Sequence, residues 1–382
     1  MSTPDHSFSA PVKKWLAMPM ETSAYAAIER VRRAEDVVHV AVLPDVHIAG
    51  DVCVGTAMAT KRLLYPSAVG GDNGCGMLAL AFDAAADVFR TAVHAGTLLR
   101  QLGERIPAQR RHRTRTLTFP SAIDPRELSN PSLRSFADRE GRLQYGTLGG
   151  GNHFVEMQAD DDERLWVMIH SGSRAIGQEV KSHHLARTTI RSAGLLATDS
   201  DTAAGQAYLH DQEWARRFAD ANRRAMARQV VDILRESFKI NSIESLTIAC
   251  DHNHVRREEH FGESLYVHRK GAMCADAGLA GVVPGSMGTQ SLHVEGRGCA
   301  DSLRSGAHGA GRLLSRHAAR EQFGRTNFRR QMQGVWFDPR LGDALREESP
   351  KAYKDVQSVM RAQRDLVKVT RTLRPLVVYK GR

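Results

Sequence analysis

Asp72 and Cys75 stand three positions apart in the turn Gly-Gly-Asp-Asn-Gly-Cys-Gly-Met (70–77). In a glycine-rich turn two side chains at that spacing can converge on one point. A carboxylate beside a thiol makes a poor core pair but a good cation site. Three histidines share a second setting. His153 follows Gly149-Gly150-Gly151-Asn152 at the start of an apolar run, His170 ends another before Ser-Gly-Ser-Arg, and His252 follows Cys250-Asp251 at the end of a third. Any one of them alone is more simply a hydrogen-bonded structural histidine. Three in the same setting, with an Asp-x-x-Cys turn available, weaken that reading. One thiolate, one carboxylate and three imidazoles suffice for two adjacent divalent ions sharing a ligand. Mixed S, N and O donors suit Mn, Fe, Co or Zn rather than Mg or Ca, and paired metals suit phosphate chemistry.

A second group reads as phosphate-handling. His308-Gly309-Ala310-Gly311-Arg312 precedes a helical pattern. A histidine at a glycine-rich helix start would have backbone N–H groups and a positive dipole end beside it, with Arg312 adding a forked contact. That would set an imidazole nucleophile next to bound phosphate. The plainer reading is a helix-start turn with a surface histidine. Pro284-Gly285-Ser286-Met287-Gly288 is a second candidate turn, weak by itself.

The elements that must position these residues follow from hydrophobic pattern. Residues 37–43, 77–82, 154–157, 165–169, 246–250 and 266–268 predict buried strands. Residues 84–102, 176–193, 205–238, 311–323 and 350–373 predict helices, with Pro350 suited to a first helical turn. The glycine-rich motifs therefore fall at strand ends, where loops on a rigid scaffold carry chemistry. No solenoid-length repeat or low-complexity linker occurs. Residues 105–130, opening with Arg105, Arg110, Arg111, Arg113 and Arg115, are the best linker candidate; they read as a flexible basic loop rather than a domain break, because motifs on both sides look like parts of one site.

The chain has 382 residues, 42% of them hydrophobic and 25% charged, which excludes whole-chain disorder, collagen and coiled coil. No apolar run approaches the roughly 18 residues of a membrane span. The first twenty residues, with Asp5, Lys13 and Lys14, lack a signal-peptide core, so a cytoplasmic address is expected. Five scattered cysteines without a CxxC pair exclude a disulfide framework and a zinc ribbon. The net charge of +10 permits a polyanionic partner without identifying one.

Taken in order, the motifs resemble those of the RtcB family of RNA-splicing ligases. The matching strings are Leu-Pro-Asp-Val-His (43–47), Gly-Asp-Asn-Gly-Cys-Gly-Met (71–77), Gly-Thr-Leu-Gly-Gly-Gly-Asn-His-Phe-Val-Glu (146–156) and His-Ser-Gly-Ser-Arg (170–174). They continue with His-Arg-Lys-Gly-Ala (268–272), Val-Pro-Gly-Ser-Met-Gly-Thr (283–289), His-Gly-Ala-Gly-Arg (308–312), Ala-Tyr-Lys-Asp (352–355) and Lys-Gly (380–381). The resemblance covers nearly the whole chain. It implies an α+β fold of the RtcB type, one large domain over residues 1–382 with central β-sheets flanked by helices. It implies joining of RNA 2′,3′-cyclic phosphate or 3′-phosphate ends to 5′-hydroxyl ends, in RNA repair or tRNA splicing, with GTP and two Mn²⁺ ions.

Carried over motif by motif, the resemblance makes Cys75 the ligand shared by both metals. Asp72 and His153 complete one site, and His170 and His252 the other. His308 would attack the α-phosphorus of GTP and hold GMP as a phosphoramidate. The cyclic end is opened to a 3′-phosphate, which takes GMP to become an RNA-pp-G end, and the 5′-hydroxyl expels GMP. Asn152, Glu156, Ser286 and Arg312 match nucleotide-contacting positions, Tyr353 a ring stacked on guanine, and Lys380 its hydrogen-bonding partner. No membrane partner is expected, and a monomer is assumed.

Four positions depart from the family pattern: Asp51 where a basic residue is common, Asn73 where an apolar one is, Ala175 where glycine is usual, and Asp251 where histidine is frequent. None removes a ligand or the nucleophile, but together they leave open a paralogue acting on another RNA. A dinuclear phosphoesterase that opens cyclic ends without sealing would need the metal ligands but not His308, Tyr353 or Lys380. A non-catalytic RNA-binding protein would have lost ligands, and would show aromatic stacking strings that a 6% aromatic content lacks. The arginines of 205–238 (216, 217, 223, 224, 228) are available to RNA, against the plainer alternative of a solvated helix face, and the basic residues 361, 364, 368, 371, 374 and 382 could line a path for it.

Overall fold

The computed structural model describes residues 9–381; Asp5 and Arg382, used in the sequence reading, lie outside them. The fold is mixed α+β, as expected. Two sheets carry it. The larger has seven strands in the order Ser242–Asp251, Gly76–Ala85, Arg164–Ser171, Phe154–Ala159, Val367–Tyr379, Ser291–Gly296, Ala280–Val283, with every ladder antiparallel. The smaller runs Val12–Lys14, Val37–His47, Val54–Thr60, Glu263–Lys270, Asn253–His260; only its first pair is parallel.

Strand periodicity explains why the larger sheet is apolar on both faces. Along Gly76–Ala85, Leu78, Leu80 and Phe82 point to one side, where they pack with Leu98, Leu102, Val230 and Leu234 from the helices Ala92–Arg105 and Ala203–Phe238. Met77, Ala79 and Ala81 point to the other, against Trp166, Met168, Val282 and Leu373. That second face is covered because the sheet curls. Its end strands pack on each other, and the backbone N–H of Val282 hydrogen-bonds the Cys250 thiol.

The chain passes from the larger sheet to the smaller in a single residue, His252, between strands ending at Asp251 and starting at Asn253; Gly271 alone then separates Lys270 from the short strand Ala272–Cys274, which pairs with Ser305–Ala307. The predicted strands all appear. The helix over 205–238 is one 36-residue helix, Ala203–Phe238, started by Thr202, whose hydroxyl accepts the Gly205 N–H.

The other helices needed correction. Over 84–102 the strand persists to Ala85, and the helix begins only after its Thr91 cap. Over 176–193 it stops at Leu185; Ile190–Ser192 then pairs with Leu195–Asp199 across Ala193-Gly194, both at positive φ as a tight hairpin turn requires. Over 311–323 only Arg316–Gln322 is helical. Gly311 instead turns at φ 74°, where a Cβ would lie 2.4 Å from the Asp45 carbonyl oxygen. His308 therefore does not sit at a helix start. Over 350–373 a single turn (Pro350–Ala352) precedes the helix Val356–Ala362, and the valine- and threonine-rich remainder forms the Val367–Tyr379 strand. Residues 105–130 hold three single turns, with Ile123 and Leu128 buried and Arg111 donating to the carbonyls of Arg105, Tyr145 and Gly146.

The basic stretches are largely paired. Arg371 turns inward over Trp166 onto Asp160, and Arg374 meets Glu163. On the long helix, Arg216 pairs with Glu213 and Asp251, Arg217 with Glu127, and Arg224 with Asp220. Arg223 is buried and corrects its assignment to an RNA-facing row: it donates to the carbonyls of Gly74 (2.7 Å) and Ser171 (2.8 Å). Its neighbour Asn222 accepts from the N–H groups of Gly146 and Thr147 and donates to Thr147 O, Ser171 Oγ and Gly172 O.

Asn222→Ala removes that hub and leaves buried backbone groups unpaired. It is expected to lower unfolding free energy by about 3 kcal/mol or more, measured by urea denaturation.

Candidate active site

The strand order decides which ligand candidates meet. The four neighbours Ser242–Asp251, Gly76–Ala85, Arg164–Ser171 and Phe154–Ala159 end on one side of the sheet, and register pairs Gly76 with Asp251, Gly76 with Ser171, and Phe154 with His170. Cys75, His252, His170 and His153 are the residues at or just beyond those ends. The Cys75 Sγ lies 3.3 Å from His170 Nε2 and 3.5 Å from His153 Nε2, and the three donor atoms fall within 4.8 Å of one another. Asp72 Oδ2 is 3.1 Å from His153 Nε2, and its other oxygen takes the Ser173 N–H at 2.8 Å. The His252 ring centroid is 5.3 Å from that of His170.

Two of the imidazoles are oriented from behind. His153 Nδ1 bonds the Leu148 carbonyl at 3.0 Å and His170 Nδ1 the Asn152 carbonyl at 3.1 Å. A carbonyl only accepts, so each Nδ1 carries a proton; His170 Nε2 then presents a lone pair toward Cys75, while His153 Nε2 faces both Cys75 and the Asp72 carboxylate. Burial, reinforced by neighbouring imidazoles, holds His170 and His252 well below the usual histidine range, hence neutral. Burial and then the Asp72 carboxylate push the Cys75 thiol well above its ordinary range. Burial would raise the Asp72 carboxyl too, but the hydrogen bond and charge of His153 outweigh it and hold it at about 2. The Cys75, His153 and His170 cluster is fit to hold a transition-metal ion.

The cleft above this cluster measures about 270 Å³. Its walls include Asp72, Cys75, His170, His252, His308, Asn152, Glu156, Ser286, Arg312, Tyr353 and Lys380; His153 stands behind Cys75 rather than on the wall. All the sequence-derived site residues thus gather around one space. The His308 ring is 4.5 Å from His252, centroid to centroid. His308 Nδ1 meets Asp45 Oδ2 at 2.5 Å, which directs Nε2 away from Asp45. Sequence reasoning quoted Asp45 within a motif and gave it no role. The side chain is fully buried, and Lys354 pins its loop by donating to the Pro44 and Val46 carbonyls.

At the opposite end, Arg312 lies 4.9 Å over the Tyr353 ring and donates to its hydroxyl at 3.0 Å. Burial pushes the Glu156 carboxyl up to about 8, partly offset by Gln158, whose amide donates to it at 2.7 Å. Ser286 is partly exposed and bonds Thr289. Glu348 was missed altogether: a buried carboxylate contacting Lys380, Tyr353 and Arg312. A glutamate in a run of charged residues carries no sequence signal for burial.

The family profile described as tRNA-splicing ligase RtcB matches residues 27–128 and 121–381. The RNA-splicing ligase RtcB of Escherichia coli (strain K12) is 36% identical over 412 residues, covering 98% of each chain. This chain belongs to the RtcB family. Two further relatives share less identity. RNA-splicing ligase RtcB2 of a second Escherichia coli strain is 27% identical over 89% of this chain and 87% of its own length. The tRNA-splicing ligase RtcB of Pyrococcus furiosus is 32% identical over 64% of this chain and 30% of its own length.

The departures from the RtcB pattern have distinct structural outcomes. Asp251 points away from the cleft, as strand alternation requires beside His252, and meets His254 (2.6 Å) and Arg216 (3.1 Å). Ala175 starts the helix Ala175–Leu185, its N–H held by Gln144. Asp51 is exposed, and its carbonyl takes Arg30. Asn73 is buried with neither amide atom partnered.

Asn73→Leu, which restores an apolar side chain of similar shape, is expected to stabilise the protein by about 1–3 kcal/mol, read as a higher Tm. The thiol's raised pKa sets a second expectation. Metal uptake must displace the Cys75 proton, so affinity rises with pH, by about tenfold per unit while the free thiol stays protonated. Titration with Co²⁺ between about pH 6 and 8 checks this, and Cys75→Ala should lose both the pH slope and the thiolate-to-cobalt absorption band.

Proposed function

We propose that the chain is a GTP- and Mn²⁺-dependent RNA ligase of the cytoplasm. It would join 2′,3′-cyclic phosphate or 3′-phosphate RNA ends to 5′-hydroxyl ends, in RNA repair or tRNA splicing. The observation that carries this reading is a single cleft in which His308, held by Asp45 at 2.5 Å, stands in ring contact (4.5 Å) with His252, itself 5.3 Å from His170 of the metal-capable group. The relatives named RNA-splicing and tRNA-splicing ligases support the substrate class.

In this reading Cys75 would serve both ions, Asp72 and His153 would help hold one, and His170 and His252 the other. When bound, the ions neutralise phosphate charge. The chain's own residues do the rest. Asp45 holds the Nδ1 proton of His308 and leaves the Nε2 lone pair free for the α-phosphorus of GTP. An N–P bond forms, the bond to pyrophosphate breaks, and Asp45 stabilises the charge that develops on the ring. Arg312 offers a planar fork for phosphate. Asn152, Glu156, Ser286, Tyr353 and Lys380 would hold the nucleotide. The RNA 3′-phosphate then takes GMP from His308, giving an RNA-pp-G end, and the 5′-hydroxyl attacks it and releases GMP.

Incubation with α-³²P GTP and Mn²⁺ tests the first step. Wild-type protein should carry acid-labile, base-stable label. His308→Ala should carry none, and Asp45→Ala should label at least about 100-fold more slowly, the size of a lost general-base or orienting contact. Wild-type protein that neither labels nor seals RNA in the presence of metal would falsify the ligase reading.

A further inference from the structure

Glu348 sits where three distant parts of the chain converge. Its Oε2 accepts from the Tyr353 hydroxyl (2.5 Å) and from Lys380 Nζ (3.0 Å); its Oε1 accepts from Arg312 Nη1 (3.2 Å) and Arg316 Nε (3.4 Å). The side chain is 3% exposed and lines the cleft together with four of its partners. Lys380, Arg312 and Arg316 are all cationic and repel one another. A buried carboxylate between them is what lets three positive groups share one wall. Consistent with this, burial works to raise the Glu348 carboxyl, and Lys380, Tyr353 and Arg312 outweigh it and hold it at about 2.

We propose that Glu348 is the positioning residue for base selection, and that the preference for guanine over adenine nucleotides depends on it. This rests on the nucleotide-binding reading above. Guanine and adenine differ at position 6, where guanine presents a carbonyl oxygen and adenine an amino group. An ammonium only donates, so Lys380 discriminates between them if its Nζ is held at a fixed place on the wall. Two carboxyl groups compete for it, because Glu156 lines the same cleft and interacts electrostatically with Lys380. Glu348 wins by direct contact at 3.0 Å. The same carboxylate fixes the Tyr353 hydroxyl, and Arg312 lies over that ring, which lines the cleft beside Lys380. Ring and ammonium are thus set relative to each other by one residue that need not touch the base.

The test compares wild type, Glu348→Gln, Glu348→Ala and Glu348→Asp for equilibrium binding of fluorescent GTP and ATP, with Tm and bound Mn²⁺ measured on the same samples. Glu348→Gln preserves volume and can still accept from Tyr353, but it removes the charge that holds Lys380. It should weaken GTP binding by about tenfold or more, the size of one charge-assisted hydrogen bond, with much less change for ATP. The GTP/ATP ratio should collapse, and Glu348→Asp should restore part of it. Equal weakening of both nucleotides in the Gln and Ala variants, with the ratio unchanged, makes Glu348 a scaffold residue only and overturns the proposal while leaving the ligase reading intact. Wild-type protein that does not prefer GTP overturns both. If the Ala variant fails to fold, the Gln variant still decides.

Discussion

Asn222 and Arg223 are adjacent on the helix Ala203–Phe238, and between them they tie down three glycine-rich loops. Arg223 holds the carbonyls of Gly74 and Ser171; Asn222 holds both sides of the Gly146-Thr147 turn and the Ser171-Gly172 pair. Those loops carry Cys75, His170 and, further along, His153. Glycine-rich backbone is conformationally costly to fix, and buried carbonyls must find donors. The helix meets both requirements at once. A cluster whose donor atoms lie within 4.8 Å of one another thus depends on a helix that contributes no atom to it. Just beyond that pair, Met226, Val230, Ile233 and Leu234 pack against the apolar face of the larger sheet, so the polar pair arrives at the loops with little freedom.

The charges in the cleft are arranged in two different ways. At the metal-capable end, burial keeps His170, His252 and Cys75 neutral beside the Asp72 carboxylate. Their polarity is expressed through oriented lone pairs. The opposite end is built of full charges, three cations around Glu348. His308 lies between the two, aligned by its own carboxylate. A lone-pair-rich end of sulfur and imidazole donors suits a divalent transition-metal ion, and a cation-rich end suits polyanions and carbonyl oxygens. The division matches a chemistry in which metal and nucleotide are handled by separate residues around one reacting phosphorus.

How much of this could be read from the sequence depended on how local each signal was. The buried strands were legible because both faces of the larger sheet are covered, so their apolar runs are nearly continuous. The ligand candidates were legible because each sits at a strand end beside glycine. The helices after residues 311 and 350 were misread because tertiary contacts override their pattern. Gly311 turns against Asp45, and the Val367–Tyr379 strand is claimed by partners at 155–159 and 291–296. Asp45, Glu348 and Asn222 share a different difficulty. Each acts through burial and through partners more than thirty residues away in most cases, and nothing in the immediate neighbours of a polar residue announces that. Arg223 shows the cost of reading charge as surface: among arginines spaced along one helix, it is the inward one that supports the site.

The curl of the larger sheet has a consequence outside catalysis. A seven-stranded open sheet would present two rows of unpaired backbone N–H and C=O groups, a template for pairing with another molecule. Here the Ser242–Asp251 and Ala280–Val283 strands pack on each other, joined by the contact between Val282 and the Cys250 thiol. Each end of the sheet shields the other. The curvature that covers Trp166 and Met168 therefore also limits edge-to-edge pairing, alongside the exposed Glu244 and the register break between Ile243 and Ile248 in the first of those strands.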